Sequence, residues 1–285
     1  MRSRLRSTPL LAVVFVGLLA SLAHAGDPAR LGSLASGRIT SSAPFEPDER
    51  TCLEPVPEAA GVSGITDSGK TVSLDAVVLL DRVSLSKGRT VMRKATRSYA
   101  PLDIRLRVVR FERVAFPSDG RTTDASGNRV ATGDYEKLFR LMKKRFHGKR
   151  PRGSDLVYML TSKDIYASDS TGRNYGVAGV ADCIGGVRFP STAFAMGEVF
   201  RPENLEAGPL TFYVNASAKI AAHEIGHLMG AHHHYSNCVE GIPTELRQGE
   251  PSPCTLMINA IDFASINFGQ VEAAVVRGHA VEFAD

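Results

Sequence analysis

Hydrophobic positions fall into a regular order from Val72 onward. The segment VSLDAVVLLD is apolar almost throughout, which predicts a strand in a sheet covered on both faces. Val91, Met92, Ala95 and Tyr99 then recur at three-to-four spacing, as on a helix that Pro101 ends. DIRLRVV sets Ile104, Leu106 and Val108 against Asp103, Arg105 and Arg107, the alternation of a half-buried strand. Asp134 is placed to cap a second helix with Leu138, Met142 and Phe146 on one face and Gly148 at its end. DLVYMLT is the next apolar strand. Strand, helix, strand, helix, strand predicts an α/β fold with a mainly parallel sheet.

The stretch 174–200 is rich in glycine and β-like, which suits an edge strand or an irregular turn. A third helix is expected over about 215–229. Asn215-Ala216-Ser217 matches an N-glycosylation sequon, but Asn215 or Ser217 as the cap of that helix is the simpler reading. Beyond Gly230 come polar loops with two cysteines, then a last helix over about 265–277 with Gly278 behind it. Residues 26–70, rich in Ser, Gly, Pro, Ala and acids, have no period and read as an extended arm or short propeptide.

Composition enters through the first 25 residues. Arg2, Arg4 and Arg6 precede the apolar run 10–22 and Ala23-His24-Ala25, the layout of a cleaved secretory signal peptide. Removing three arginines and no acid leaves 31 basic against 30 acidic residues, so the net charge falls from +4 to +1. A near-neutral chain gives no footprint for nucleic acid, and no membrane association is expected once the leader is gone. The expected protein is a secreted monomer, extracellular or periplasmic. The cluster Lys143, Lys144, Arg145, Lys149, Arg150 and Arg152 reads as a solvated helix C-terminus, where cations complement the dipole. Export places Cys52, Cys183, Cys238 and Cys254 in an oxidising setting with three possible pairings. Cys238 and Cys254 flank a polar, proline-containing loop and are the favoured pair.

The chemistry lies in AAHEIGHLMGAHHH. His223 and His227 stand one turn apart on one helix face, where two imidazoles can share a metal ion. Glu224 borders that face, within reach of a metal-bound water. A catalytic zinc site usually has three protein ligands and a water. Gly230 can end the helix in a left-handed turn and return the chain toward the metal. His233 falls at the right place, with His232 and His234 as alternatives. With 26 Gly and 8 His in 285 residues, a chance HExxH would carry both added residues roughly once in 400 cases, and the histidine run makes that figure less severe.

The segment 223–233 resembles the metzincin zinc signature, most closely that of the reprolysin or adamalysin branch. CTLMI at 254–258 resembles the family's Met-turn, with Met257 as its methionine, and DFASIN the start of its C-terminal helix. The resemblance implies a metzincin (zincin-like) catalytic domain over 71–285. Its upper subdomain, about 71–230, would hold a twisted, mainly parallel sheet with an antiparallel edge strand. A small irregular lower subdomain would occupy about 231–285. It implies one zinc ion on His223, His227 and His233, Glu224 as general base, and endopeptidase activity on a protein or peptide substrate. Gly176, Val177, Ala178 and Gly179 would belong to the edge strand that pairs with an extended substrate.

The sequence departs from the family pattern in three places. No tyrosine follows Met257, and His234 stands where reprolysins have an aspartate. Cys183 has no family partner in the C-terminal region, so Cys52 either pairs with Cys183 or acts as a thiolate switch on the zinc. A secreted metzincin-like binding protein without turnover is the competing reading, and the intact Glu224 weighs against it.

Overall fold

The computed structural model describes Cys52 and residues 70–123, 127–169, 172–174, 177–199, 210–233, 255–257 and 267–284. The leader, most of the arm, Cys238, Cys254 and most of the expected lower subdomain lie outside these residues.

The apolar segment forms β1 (Val72–Asp81), followed by α1 (Leu85–Tyr99) and β2 (Ile104–Val114). Ser84 caps α1 by accepting from the Lys87 amide. A single 3-10 turn at Ala100–Leu102 carries Pro101 in its first turn and ends on Asp103 in the left-handed region, φ 54°. The chain continues through β3 (Gly120–Thr123), β4 (Arg129–Asp134), α2 (Tyr135–Arg145), β5 (Leu156–Thr161), β6 (Asp164–Asp169), β7 (Gly172–Asn174), β8 (Gly179–Ala181) and β9 (Phe194–Glu198). Helices α3 (Leu210–Leu228) and α4 (Gln270–Phe283) complete it. Asp134 caps α2 through the Lys137 amide.

The main sheet has the order β2-β1-β5-β9-β8. Its first four strands are parallel, and β8 closes one edge antiparallel to β9. Period-two alternation splits the central strands between two cores. Leu74, Val78 and Leu80 of β1 and Leu156, Tyr158 and Leu160 of β5 pack with α1 and α3. Val77, Leu79, Val157 and Met159 pack with Leu138, Phe139 and Met142 of α2. A sheet sandwiched this way needs apolar residues on both faces, which is why β1 and β5 read as unbroken runs.

Several boundaries differ from the sequence reading. Helix α3 begins at Leu210, so Asn215 lies inside it and neither Asn215 nor Ser217 is its cap. Helix α4 starts after Gly269 and runs through Gly278 to Phe283. Burial of Val276 and Ala280 outweighs the roughly 1 kcal/mol helix penalty of that glycine. Phe194–Glu198 is an interior strand, buried throughout, and not an edge. A second sheet, β3-β4-β6-β7, lies outside the periodic pattern altogether.

Three members of the basic cluster have structural partners. Lys143 pairs with Asp182 at 2.7 Å and Arg145 with Glu112 at 2.6 Å. Arg150 donates to the carbonyls of Asp155 and Val187. Among the described residues no helix is long and apolar enough to cross a membrane.

Cys52 is joined to Cys183 with a Cα–Cα distance of 5.7 Å, and its amide donates to the Ile184 carbonyl. The expected Cys238–Cys254 pair lies outside the described residues. Replacing both Cys52 and Cys183 by serine opens a loop of 131 residues and should lower stability by about 2–5 kcal/mol. The urea midpoint of the double variant measures this, and a midpoint equal to wild type contradicts it.

Candidate metal centre

Ala218, Ala221, Ala222, Ile225 and Leu228 fasten α3 into the core shared with α1 and the sheet. That packing fixes the rotation of the helix and hence the direction of the face bearing His223 and His227. The hydroxyl of Tyr99, on α1, donates to the Ala222 carbonyl at 2.7 Å and anchors the turn that carries His223.

Gly230 ends the helix with φ +88°. Its amide donates to the His227 carbonyl, and the Ala231 amide donates to the Gly226 carbonyl, the paired bonds of a Schellman turn. The reversal has two effects on the site. It aims the Ala231 carbonyl at His227 Nδ1, 2.7 Å away, and it brings His233 back over the helix. The three Nε2 atoms then form a nearly equilateral triangle. The separations are 3.0 Å for His223–His227, 3.1 Å for His227–His233 and 3.2 Å for His223–His233.

The ring nitrogens facing away from this triangle decide what it can do. His223 Nδ1 donates to the Leu256 carbonyl at 2.7 Å, as His227 Nδ1 does to Ala231. A proton on each Nδ1 leaves a lone pair on each Nε2, aimed at the common centre. Burial, and then the facing His227 and His233 rings, hold His223 well below the ordinary imidazole range, so it is a neutral ring. Tetrahedral zinc with Zn–N bonds of about 2.0–2.1 Å spaces its nitrogens about 3.3 Å apart, and the observed triangle fits that edge. The donor set and its tautomers suit a divalent ion that accepts imidazole.

Glu224 is buried beside these rings, on the side of β8. Its carboxylate accepts from the Ala181 amide, and an ideal Cβ on Gly179 would lie 2.6 Å from its Oε1. Burial pushes its carboxyl well above the ordinary carboxylate range, with the Ala181 amide opposing. Beneath the helix, Gly226 leaves room for Met257 and Phe268. An ideal Cβ there would sit 2.9 Å from Met257 Sδ and 2.9 Å from the Phe268 ring.

The structure therefore brings together His223, His227, His233, Glu224, Met257 and Gly179. His232 is exposed and outside the triad, and His234 lies outside the described residues. The edge strand spans Gly179–Ala181, displaced toward the C-terminus from the expected position. Val177 and Ala178 are buried ahead of it, and Gly176 is outside the described residues. With a disulfide to Cys183, the sulfur of Cys52 is engaged away from the triad.

Spacing alone did not reveal the groups that orient the ligands. The carbonyls of Leu256 and Ala231 and the amide of Ala181 are backbone atoms, for which residue type carries no signal. Tyr99 reads in the sequence only as one position of a helical period, and its hydroxyl carries no sign of its acceptor. Nor does spacing point to His279, whose ring occupies the space where a side chain on Gly230 would project.

The model of metallopeptidase family M12B, reprolysin-like, matches residues 85–234. No curated protein matches the chain. Among solved structures, archaemetzincin from Methanopyrus kandleri is similar, with 17% identity over 75% of this chain and 98% of that one, at a TM-score of 0.45. Metalloproteinase-II from Bacteroides fragilis shares 13% identity over 73% and 52% of the two chains, at 0.43. A zinc-dependent peptidase from Methanocorpusculum labreanum shares 17% over 70% and 99%, at 0.42.

Gly230→Ala should destabilise the protein for two separable reasons. The left-handed conformation costs about 1–2 kcal/mol with a Cβ, and the new methyl displaces the His279 ring. Removing that ring with His279→Ala should relieve the second part, so Gly230→Ala costs less in that background. Chemical denaturation of the four proteins of the cycle tests this, and equal costs in both backgrounds contradict it.

Proposed function

Because this chain belongs to the reprolysin-like M12B metallopeptidases, we propose that it is a zinc-dependent endopeptidase acting on protein or peptide substrates, with His223, His227 and His233 holding one zinc ion. The observation that carries this reading is the convergence of three Nε2 atoms within 3.2 Å of one another beside a buried carboxylate. When bound there, zinc supplies Lewis acidity to a water and to the scissile carbonyl.

Glu224 is the general base. It takes a proton from the attacking water and delivers it to the leaving nitrogen. Its raised affinity for a proton suits both roles, because the group must hold the proton between the two steps. The Ala181 amide keeps the carboxylate from swinging away from the triad. The substrate lies extended along β8, which among the described residues is an edge of the five-stranded sheet.

Residues 1–25 direct export, and the Cys52–Cys183 disulfide supports an oxidising destination, extracellular or periplasmic.

Protein lacking residues 1–25 should take up one equivalent of zinc by elemental analysis. Its cleavage of a random peptide library should stop with a chelator and return with zinc. Glu224→Gln should keep the zinc and lose about 10²–10⁴-fold in kcat/KM. A Glu224→Gln protein that retains zinc and cleaves at the wild-type rate contradicts the assignment. Zinc uptake by a wild-type protein that cleaves no peptide would favour the binding-protein reading.

A further inference from the structure

The carbonyl that holds His223 belongs to the peptide unit between Leu256 and Met257. A trans peptide fixes its N–H and C=O in opposite directions in one plane, so whatever holds the Met257 amide also aims the Leu256 carbonyl. The holder is Thr255. The Met257 amide donates to Thr255 Oγ1 at 3.2 Å, on the far side of the peptide from His223. The Thr255 hydroxyl donates in turn to Glu272 Oε1, also at 3.2 Å. With its proton committed to the carboxylate, the Thr255 oxygen is left to accept from Met257.

Glu272 is well placed for that task. It lies in the first turn of α4, where the helix N-terminus favours a carboxylate. Its Oε2 is buried and has no hydrogen-bond partner among the described residues, so Thr255 is the partner that the structure gives this carboxylate. The preceding peptide is also fixed, because the Leu256 amide donates to the Asn267 carbonyl at 2.7 Å.

We propose that Thr255 and Glu272 are positioning residues for His223. Through the Leu256–Met257 peptide they set the ring plane of that histidine and keep its proton on Nδ1, so that Nε2 faces the triad. The proposal rests on the reading of His223 as a metal ligand, but its first readout needs no metal.

The experiment uses ¹⁵N-histidine-labelled protein lacking residues 1–25. Long-range ¹H–¹⁵N spectra of the metal-free state report the tautomer of each ring, and a chelator competition reports zinc affinity. In wild type, Thr255→Ser and Glu272→Gln, where a hydroxyl and an acceptor oxygen persist, His223 should show the Nδ1–H tautomer alone. In Thr255→Val and Glu272→Met, it should show a mixture of tautomers, and zinc affinity should fall by about tenfold. A purely structural tie between the Met-turn and α4 would lower stability and leave the tautomer unchanged. If Thr255→Val does not fold, the Glu272 pair decides alone. Identical tautomers and zinc affinities in Glu272→Gln and Glu272→Met overturn the proposal. A tautomer shift in a chain that takes up no zinc would uphold the positioning role while the peptidase reading failed.

Discussion

Three imidazole Nε2 atoms turned to one point, none more than 3.2 Å from the next, are the constraint around which the rest of this molecule is arranged. The Nε2 lone pairs of His223 and His227 repel at that range, and His227 is buried while His223 is half-buried. A cation shared by the rings would turn that penalty into a bonded set. The protein holds it ready by protonating the opposite ring nitrogens of His223 and His227 against backbone carbonyls. Those carbonyls come from two different turns, the Schellman turn at Gly230 and the turn at Leu256–Met257. Site geometry is thus inherited from turn geometry, with the rings as the last link.

The fold supplies the rigidity that this needs. Helix α3 is buried along its alanines against a sheet whose central strands are covered on both faces. Tyr99 ties it to α1, Gly226 lets Met257 and Phe268 close in beneath it, and His279 of α4 backs Gly230. Cys52 is bound covalently to Cys183, two residues beyond the edge strand whose Ala181 amide holds Glu224 in place. Burial sets the electrostatics in the same stroke. It makes His223 a neutral ring and Glu224 a carboxylate with a raised affinity for protons.

Much of this could be read before any coordinates. The run of β1, the spacing of α1, the Asp134 cap and the alternation of β2 each follow from a one-dimensional period, and the structure keeps them. The triad and Glu224 were legible because a helix turn and a glycine reversal convert fixed spacings into convergence. The failures have physical causes. Helix α4 continues through Gly278 because tertiary packing outweighs local propensity. The start of α3 was misplaced because Asn215 and Ser217 resemble caps wherever they occur. The β3-β4-β6-β7 sheet is built from short, half-polar strands with no clear alternation. The edge strand moved because glycine content marks an irregular region without fixing its register. The backbone groups that orient the ligands leave no trace in residue type.

X-ray absorption at the zinc edge of the metal-loaded protein tests the central claim most directly. The account predicts a first shell of nitrogen and oxygen at about 2.0–2.1 Å with the multiple-scattering pattern of three imidazoles. A sulfur scatterer near 2.3 Å, or a shell with fewer than three imidazoles, would contradict it.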